Sequence, residues 1–370
     1  MPRILTLGWS TSNHLRAWVK GLAQRGYEVT VVTYDGEPID GIEVINLPKS
    51  PFGRLSYLRY LPRVRKLARE IKPDLIHAHF LTSYALWGAS CARGGALGAL
   101  PLSEANSRLI PLVLTAWGSD VTQSISSPIY RRLVRYNLGK ASAVTAPSDY
   151  LKKCIGEISP VARSKTEVIP FGLDKERIAN AKQNAKKDPS VVRILFFKHL
   201  LALYGPEALL RSFAQIANDF PTARLTLAGR GSLLGKLISL AIELGVEDKV
   251  DFPGYIDSAD AYKFIAEHDI MVMPTRIPEG FGMAALEAQG LGLTVIASAS
   301  GAVPEIVSHE KTGLLFEAKS QVALSSALKR LLSNKTEREK MGEAGAKSVN
   351  EKFNWERSLD QMDALYKRLL

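Results

Sequence analysis

The chain has 370 residues, beyond the size at which one hydrophobic core stops growing, so two domains of roughly 170–190 residues each are expected. Hydrophobic residues make up 46% and charged residues 23%, an ordinary globular balance that excludes a disordered chain, a collagen-like repeat and a coiled coil. The net charge of +11 is uneven: residues 1–180 hold 24 Lys and Arg against 14 Asp and Glu, the remainder 24 against 23, so the halves face different partners.

In chain order, the opening MPRILTLGWS carries too short an apolar run for a secretory core and reads as a first buried strand. Ile4–Leu7 is followed by a helical pattern over His14–Gln24, then strands Glu28–Thr33, Leu75–Ala78, Leu112–Thr115 and Ala143–Ala146. Between them, Arg54 to Lys72 interleaves Arg59, Arg63, Arg65, Lys66 and Arg69 with Leu55, Tyr57, Leu58, Tyr60, Leu61 and Leu67. That mixture suits an anionic membrane surface or an acidic acceptor; a solvated helix face is the other reading. Nucleic acid is not expected, for no zinc-knuckle or RRM signature is present. Phe80 to Leu102 is weakly charged, but Arg93, Gly94, Gly95 and Gly98 interrupt it, which argues against a spanning helix. Cys91 and Cys154 are too few for a disulfide framework or a four-cysteine zinc site, and a reducing, cytoplasmic setting is expected.

The strand–helix rhythm then restarts with Arg193–Phe197, Leu225–Ala228, Val250–Phe252, Ile270–Met273, Thr294–Ala297 and Gly313–Phe316. Two such runs predict an α/β protein of two doubly wound parallel sheets. The polar, Lys-rich stretch between Phe171 and Pro189 reads as the seam, giving domains of 1–175 and 188–355. Leu359, Met362, Leu365, Tyr366 and Leu369 at helical spacing predict a last amphipathic helix over 356–370, packing on the first domain.

A dinucleotide-binding loop would place G-x-G-x-x-G after the first strand, where only Gly8 stands, and Gly229-x-Gly231 lacks its third glycine at Leu234. Walker, H-E-x-x-H and G-x-S-x-G motifs are absent. The most informative string is PEGFGMAALEAQG, Pro278 to Gly290: a strand runs into a Gly-rich turn and then a run of good helix formers. Such a turn lets a ligand approach the backbone, and the helix start offers N–H groups to a phosphate. Glu279 in the turn and Glu287 inside the helix can accept sugar hydroxyls beside that phosphate. As isolated residues they also fit a helix-start acid and a surface glutamate.

This string resembles the E-x7-E signature of retaining, nucleotide-sugar-dependent glycosyltransferases of the GT-B fold, family 4 type. DLIHAHF (Asp74–Phe80), LTAWGSD (Leu114–Asp120), APSDYLKK, VIPFGLD, LTLAGRGS, VDFPGYI and SGAVPEIVSHEKTGLLF follow in the order of that family. The resemblance implies two Rossmann-like domains facing a central cleft. It implies that Glu287 binds the ribose hydroxyls and Glu279 the donor sugar, with Gly280, Phe281, Gly282, Met283 and Ala284 along the sugar and phosphate. Pro253, Gly254 and Tyr255 would border the base. Where the family carries an Arg and a Lys after the first strand of the second domain, this chain keeps Lys198 and has Tyr204, so Arg230 is the candidate replacement cation. Trp117 replaces a His that in many members touches the donor sugar, leaving Asp120 and His79 near the expected cleft as catalytic candidates; a buried core or cap role is the alternative for His79.

The implied reaction is retaining transfer from a UDP- or GDP-sugar to a lipid-linked or saccharide acceptor, without cofactor or metal, since no D-x-D triplet occurs. A nucleotide-sugar epimerase or hydrolase, and a non-catalytic nucleotide-sugar-binding protein, are the alternatives. Peripheral contact with an anionic membrane through the basic domain is a further expectation.

Overall fold

The computed structural model describes residues 1–49, 56–92 and 109–370. Arg54 and Leu55 of the basic run, and residues 93–102 with their arginine and glycines, lie outside the described residues. The chain divides into two compact units, Met1–Pro170 with Glu356–Leu370, and Phe171–Trp355.

The first unit is a seven-stranded parallel sheet of β1 (Arg3–Leu7), β2 (Glu28–Tyr34), β3 (Glu43–Leu47), β4 (Leu75–His79), β5 (Leu112–Thr115), β6 (Ala143–Ala146) and β7 (Thr166–Val168). Their order is β3-β2-β1-β4-β5-β6-β7, so the winding reverses between β1 and β4, where Ile4 pairs with Val29 on one side and Leu75 on the other. Central strands read as unbroken apolar runs because both faces are covered by helices, which bury Leu5, Leu7, Ile76, Leu112, Leu114 and Val144 completely. The second unit repeats the plan with β8 (Val192–Phe197), β9 (Ala223–Ala228), β10 (Val250–Gly254), β11 (Ile270–Met273), β12 (Thr294–Ser298) and β13 (Gly313–Phe316), ordered β10-β9-β8-β11-β12-β13 and reversing between β8 and β11.

Two strands escape the apolar-run reading. β3 sits at a sheet edge with four of its five residues half-buried or exposed, and β7 is three residues long. The expected seam is also different. Residues Lys175–Asn184 form a helix of the second unit, its start capped by Asp174 Oδ1 accepting from the N–H groups of Glu176 (2.9 Å) and Arg177 (3.2 Å). Only Ala181 on it is buried, so it lacks the apolar stripe that announces a helix. The chain leaves the first unit at Pro170 rather than 175.

The helix Trp355–Leu369 belongs to the first unit and buries Leu359, Met362, Leu365 and Tyr366. Leu359 fills the space beside Gly21, and Arg25 binds Glu356 and Asp360, both at 2.8 Å. Inside, the Tyr366 hydroxyl lies 2.5 Å from His77 Nδ1, His77 Nε2 lies 2.6 Å from Thr115 Oγ1, and Thr115 continues to Thr145 at 2.6 Å. Burial holds His77 neutral, pushed down to about 3.

The basic run is split by the helix Leu61–Ile71. Arg59, Arg63, Lys66 and Arg69 are exposed, whereas Arg65 is half-buried with a buried Nε. Tyr57 and Tyr60 turn inward: Tyr57 packs on Tyr34, Tyr84 and Trp87, and the Tyr60 hydroxyl donates to Pro48 O at 2.8 Å. The aromatic half of the proposed surface is therefore half-buried against the core. Among the described residues no helix is long and apolar enough to cross a membrane.

Candidate active site

Open α/β sheets bind ligands at the carboxyl ends of their strands where the winding reverses. In the second unit that point lies between β8 and β11, and the loops leaving these strands carry Lys198 and Glu279. The two side chains form a direct ion pair, with side-chain exposures of 24% and 14%, and the Lys198 ammonium lies 4.4 Å from the centroid of the Tyr204 ring. Tyr204 thus occupies the position expected for a second lysine by packing under the first. Its phenol is raised by burial and by the Glu279 charge.

Neighbouring loops hold Glu279 in place. The Ala302 N–H donates to Glu279 O at 2.9 Å, and Glu279 bridges Gly301. A Cβ at Gly301 would stand 2.2 Å from Glu279 O, and the residue has φ +62°, so both space and backbone require glycine there. Gly282 (φ +102°) caps the helix Met283–Gly290, its carbonyl accepting from Ala285 N at 3.0 Å. The N–H groups of that first turn, from Met283 and Ala284 onward, gather the positive end of the helix dipole beside the Lys198–Glu279 pair. Phe281 faces the interior, edge-on to Phe171 (5.4 Å) and Phe353 (5.9 Å), which fixes the turn from beneath.

Glu287 is half-buried on the same helix and its carboxyl is pushed up to about 7 by burial, with Arg177 pulling it back. Arg177 lies over the Tyr262 ring at 4.8 Å, and the Tyr262 phenol is raised first by its own burial and then by the Glu287 charge. Sequence reasoning missed Arg177 and Tyr262, because one stands in the supposed seam and the other in a short helix without a motif. The N-cap Asp174 was the available signal for the first.

The loop after β9 brings Gly229, Arg230 and Gly231 against the loop after β8: the Leu200 N–H donates to Arg230 O at 2.9 Å, and Gly229 N–H to Gly254 O at 2.7 Å. The Arg230 guanidinium covers the Tyr255 ring at 5.0 Å, and Tyr255 is 52% exposed. Pro253 and Gly254 close β10, just before that ring. Lys198, Glu279 and Tyr204 therefore form one cluster, Arg230 with Tyr255 a second, and Glu287 with Tyr262 and Arg177 a third.

Asp120 and His79 belong to the first unit. Asp120 is buried, and its carboxylate accepts from three backbone N–H groups: Leu81 (2.7 Å), Gly118 (2.8 Å) and Trp117 (3.1 Å). Burial pushes its pKa up, and those donors pull it back. His79 ends β4, its ring 4.2 Å from that of His77, and its Nδ1 accepts from Trp117 Nε1 at 3.3 Å. Burial, with His77 adding to it, keeps His79 neutral. Both catalytic candidates are thus bound into the loop that carries Trp117. Cys91 and Cys154 are free thiols.

Two family profiles match the chain: "Glycosyl transferase 4-like" over residues 3–148 and "Glycosyl transferases group 1" over residues 176–348. Among characterised proteins, the N-acetyl-alpha-D-glucosaminyl L-malate synthase of Bacillus anthracis is 26% identical, over 94% of this chain and 91% of its own. Among solved structures, sucrose-phosphate synthase from Thermosynechococcus elongatus superposes with a TM-score of 0.82 at 21% identity, covering 100% of this chain and 99% of its own. Anabaena HepE, crystallised with UDP and glucose, superposes at 0.79 and 20% identity over the whole of both chains. With one profile on each parallel sheet, the chain belongs to the group 1 glycosyltransferases and is a transferase of the GT-B fold.

Proposed function

We propose that the protein transfers a sugar from a nucleotide diphosphate sugar, UDP- or GDP-linked, to a hydroxyl of a saccharide or lipid-linked acceptor in glycan or cell-envelope polysaccharide synthesis, with retention of anomeric configuration. The observation that carries this reading is the Lys198–Glu279 pair poised at the β8/β11 reversal, beside the dipole of the Met283–Gly290 helix. A diphosphate leaving group gathers charge as the glycosidic bond breaks, and preformed donors and cations lower that barrier most. Lys198, the helix start and Arg230 supply them, with Tyr255 holding Arg230. Glu287 accepts the ribose hydroxyls. Glu279 faces the sugar ring, and a substrate diphosphate would draw Lys198 from it. Asp120 and His79 serve as positioning residues for the Trp117 loop. The UDP and glucose in the HepE crystal support a nucleotide-sugar donor.

A thermal-shift panel of nucleotide diphosphates tests the donor: at a hundred times Kd, stabilisation of about 2.7 kcal/mol is expected. No metal is part of this reading. Transfer persists in excess EDTA, and complete loss that Mg²⁺ or Mn²⁺ restores overturns it. Peripheral contact with anionic lipid rests on the exposed Arg59, Arg63, Lys66 and Arg69 alone, each adding about 1 kcal/mol near the surface. Vesicle flotation that changing these four to Gln leaves untouched removes that contact.

A further inference from the structure

The first sheet also reverses its winding, between β1 and β4, and the loops leaving those strands hold rings rather than charges. Trp9 follows β1 and is 49% exposed, Phe80 follows β4, and Trp117 comes from the loop after β5. Phe80 and Trp117 stack at 5.2 Å with planes 11° apart, Trp9 stands edge-on to Phe80 at 6.4 Å, and His14 lies 5.8 Å from Trp117.

The backbone beneath this shelf is strained and locked. Phe80 has φ +69°, a conformation a bulky residue adopts only where its surroundings impose it, and which clusters at functional sites. The Phe80 N–H donates to Thr115 O at 3.0 Å, and Asp120 ties Leu81 to the Trp117 loop. Asn137 Nδ2 donates to the carbonyls of Leu81 (2.9 Å) and Thr82 (3.0 Å). His79 fixes the Trp117 indole through its N–H.

Charge is withheld from the same place. Arg16 is bound to Ser10 O (2.6 Å), Glu37 (3.1 Å) and Pro38 O (2.9 Å), and burial lowers both His14 and His79 toward the neutral form. Among the described residues, the Arg16 guanidinium beside Ser10 is already engaged and offers a small dianion or a phosphate little. An acyl chain would want aliphatic walls, whereas the exposed large apolar side chain here is an indole with a polar edge.

We infer that the Trp9–Phe80–Trp117 shelf holds the acceptor by the apolar face of a neutral pyranose ring, so that the group glycosylated is a hydroxyl of a sugar. This rests on the glycosyl-transfer reading above. A pyranose presents C–H bonds on its faces and hydroxyls around its rim, so it covers an aromatic face while leaving hydroxyls free to react.

The test uses the intact protein and methyl pyranosides of gluco, galacto, manno and N-acetylgluco configuration, followed by tryptophan emission. Saturable change with at least one pyranoside is expected. Trp9→Ala, at an exposed position that leaves the melting temperature in place, weakens that binding about tenfold, and Trp9→Phe recovers most of it. In turnover with the same sugar as acceptor, Trp9→Ala raises acceptor KM by a similar factor and leaves UDP or GDP stabilisation intact. Pyranoside binding indifferent to Trp9→Ala overturns the inference, as does emission answering only to L-malate or to anionic vesicles. Absence of any nucleotide stabilisation in the wild type sinks the donor reading instead, and the emission experiment stands apart from it.

Discussion

The two winding reversals are the same place in two copies of one architecture, and they are furnished oppositely. At β8/β11 an ion pair stands beside a helix start, with a guanidinium on the loop after β9; the loops after β1, β4 and β5 present two indoles and a phenyl ring beside neutral histidines. The backbone plan fixes where a ligand can sit, and the loop residues decide whether a diphosphate or a ring sits there. In the second unit the carboxylate Glu279 pairs with a lysine and Glu287 lies near Arg177, whereas in the first the buried carboxylate Asp120 is occupied by its own backbone.

That contrast breaks most visibly at Asp120. Asp120→Ala strands three buried N–H groups and is expected to cost about 3 kcal/mol or more, a fall of roughly 6–12 °C in the transition of the first unit. An unchanged midpoint by calorimetry would return Asp120 to the list of chemical groups.

Next comes Lys198→Met, which removes the cation at the β8/β11 reversal. A charge-assisted hydrogen bond is worth about 1.5–3 kcal/mol, so kcat/KM for the donor is expected to fall between tenfold and a hundredfold, with acceptor KM unmoved. Its partner sharpens the point. Glu279→Gln frees Lys198, so the sugar-free nucleotide diphosphate binds normally or tighter by calorimetry while kcat drops. Equal losses of nucleotide affinity in Glu279→Gln and Glu287→Gln would falsify this division of roles.

Glu287 carries a pH signature absent from the first unit. Under the proposed ribose role, in which the ionised carboxylate is the strong acceptor, donor KM should fall by about tenfold as pH rises from 6 to 8, with a midpoint near 7, and Glu287→Gln should flatten that profile. Stability of the ligand-free protein runs the other way. The folded carboxyl holds its proton more tightly than the unfolded one, so between pH 4.5 and 7 folding binds protons and stability declines with rising pH. Above pH 7 the full penalty is present, and Glu287→Gln is expected to add stability there on the order of 2–3 kcal/mol, seen as a higher melting temperature. A lower melting temperature for the variant at pH 8 overturns it.

The smallest expected effect is at Tyr204. Tyr204→Phe keeps the ring under Lys198, so donor kinetics should stay within about twofold; a tenfold loss would assign the hydroxyl a contact with substrate.

The sequence read most clearly where burial was two-sided. β1, β4, β5, β8, β9, β11 and β12 show as largely apolar runs because helices cover both faces of nearly every residue in them. β3 and β7 carry half-buried faces over few residues, and the Lys175–Asn184 helix shows solvent nearly all round, so neither period reaches the eye. In the site, the spacing of Glu279 and Glu287 was legible because one loop and one helix carry both. The aromatic shelf was not, since Trp9, Phe80 and Trp117 stand far apart in sequence and meet only through the pairing of β1, β4 and β5. Tyr57 and Tyr60 misled for the converse reason: a basic neighbourhood hid the inward face of a short helix.

The hydrogen bond between Tyr366 and His77 has a consequence for how the protein is made. The second unit is one unbroken stretch, Phe171–Trp355, and holds all its own residues once residue 355 has left the ribosome. The first unit, though begun earlier, lacks the helix Trp355–Leu369 until the whole second unit has been made, and the interior His77, Thr115 and Thr145 wait unsealed. Domains usually complete in the order of synthesis. Here the second unit has all its residues before the first has the helix that seals it.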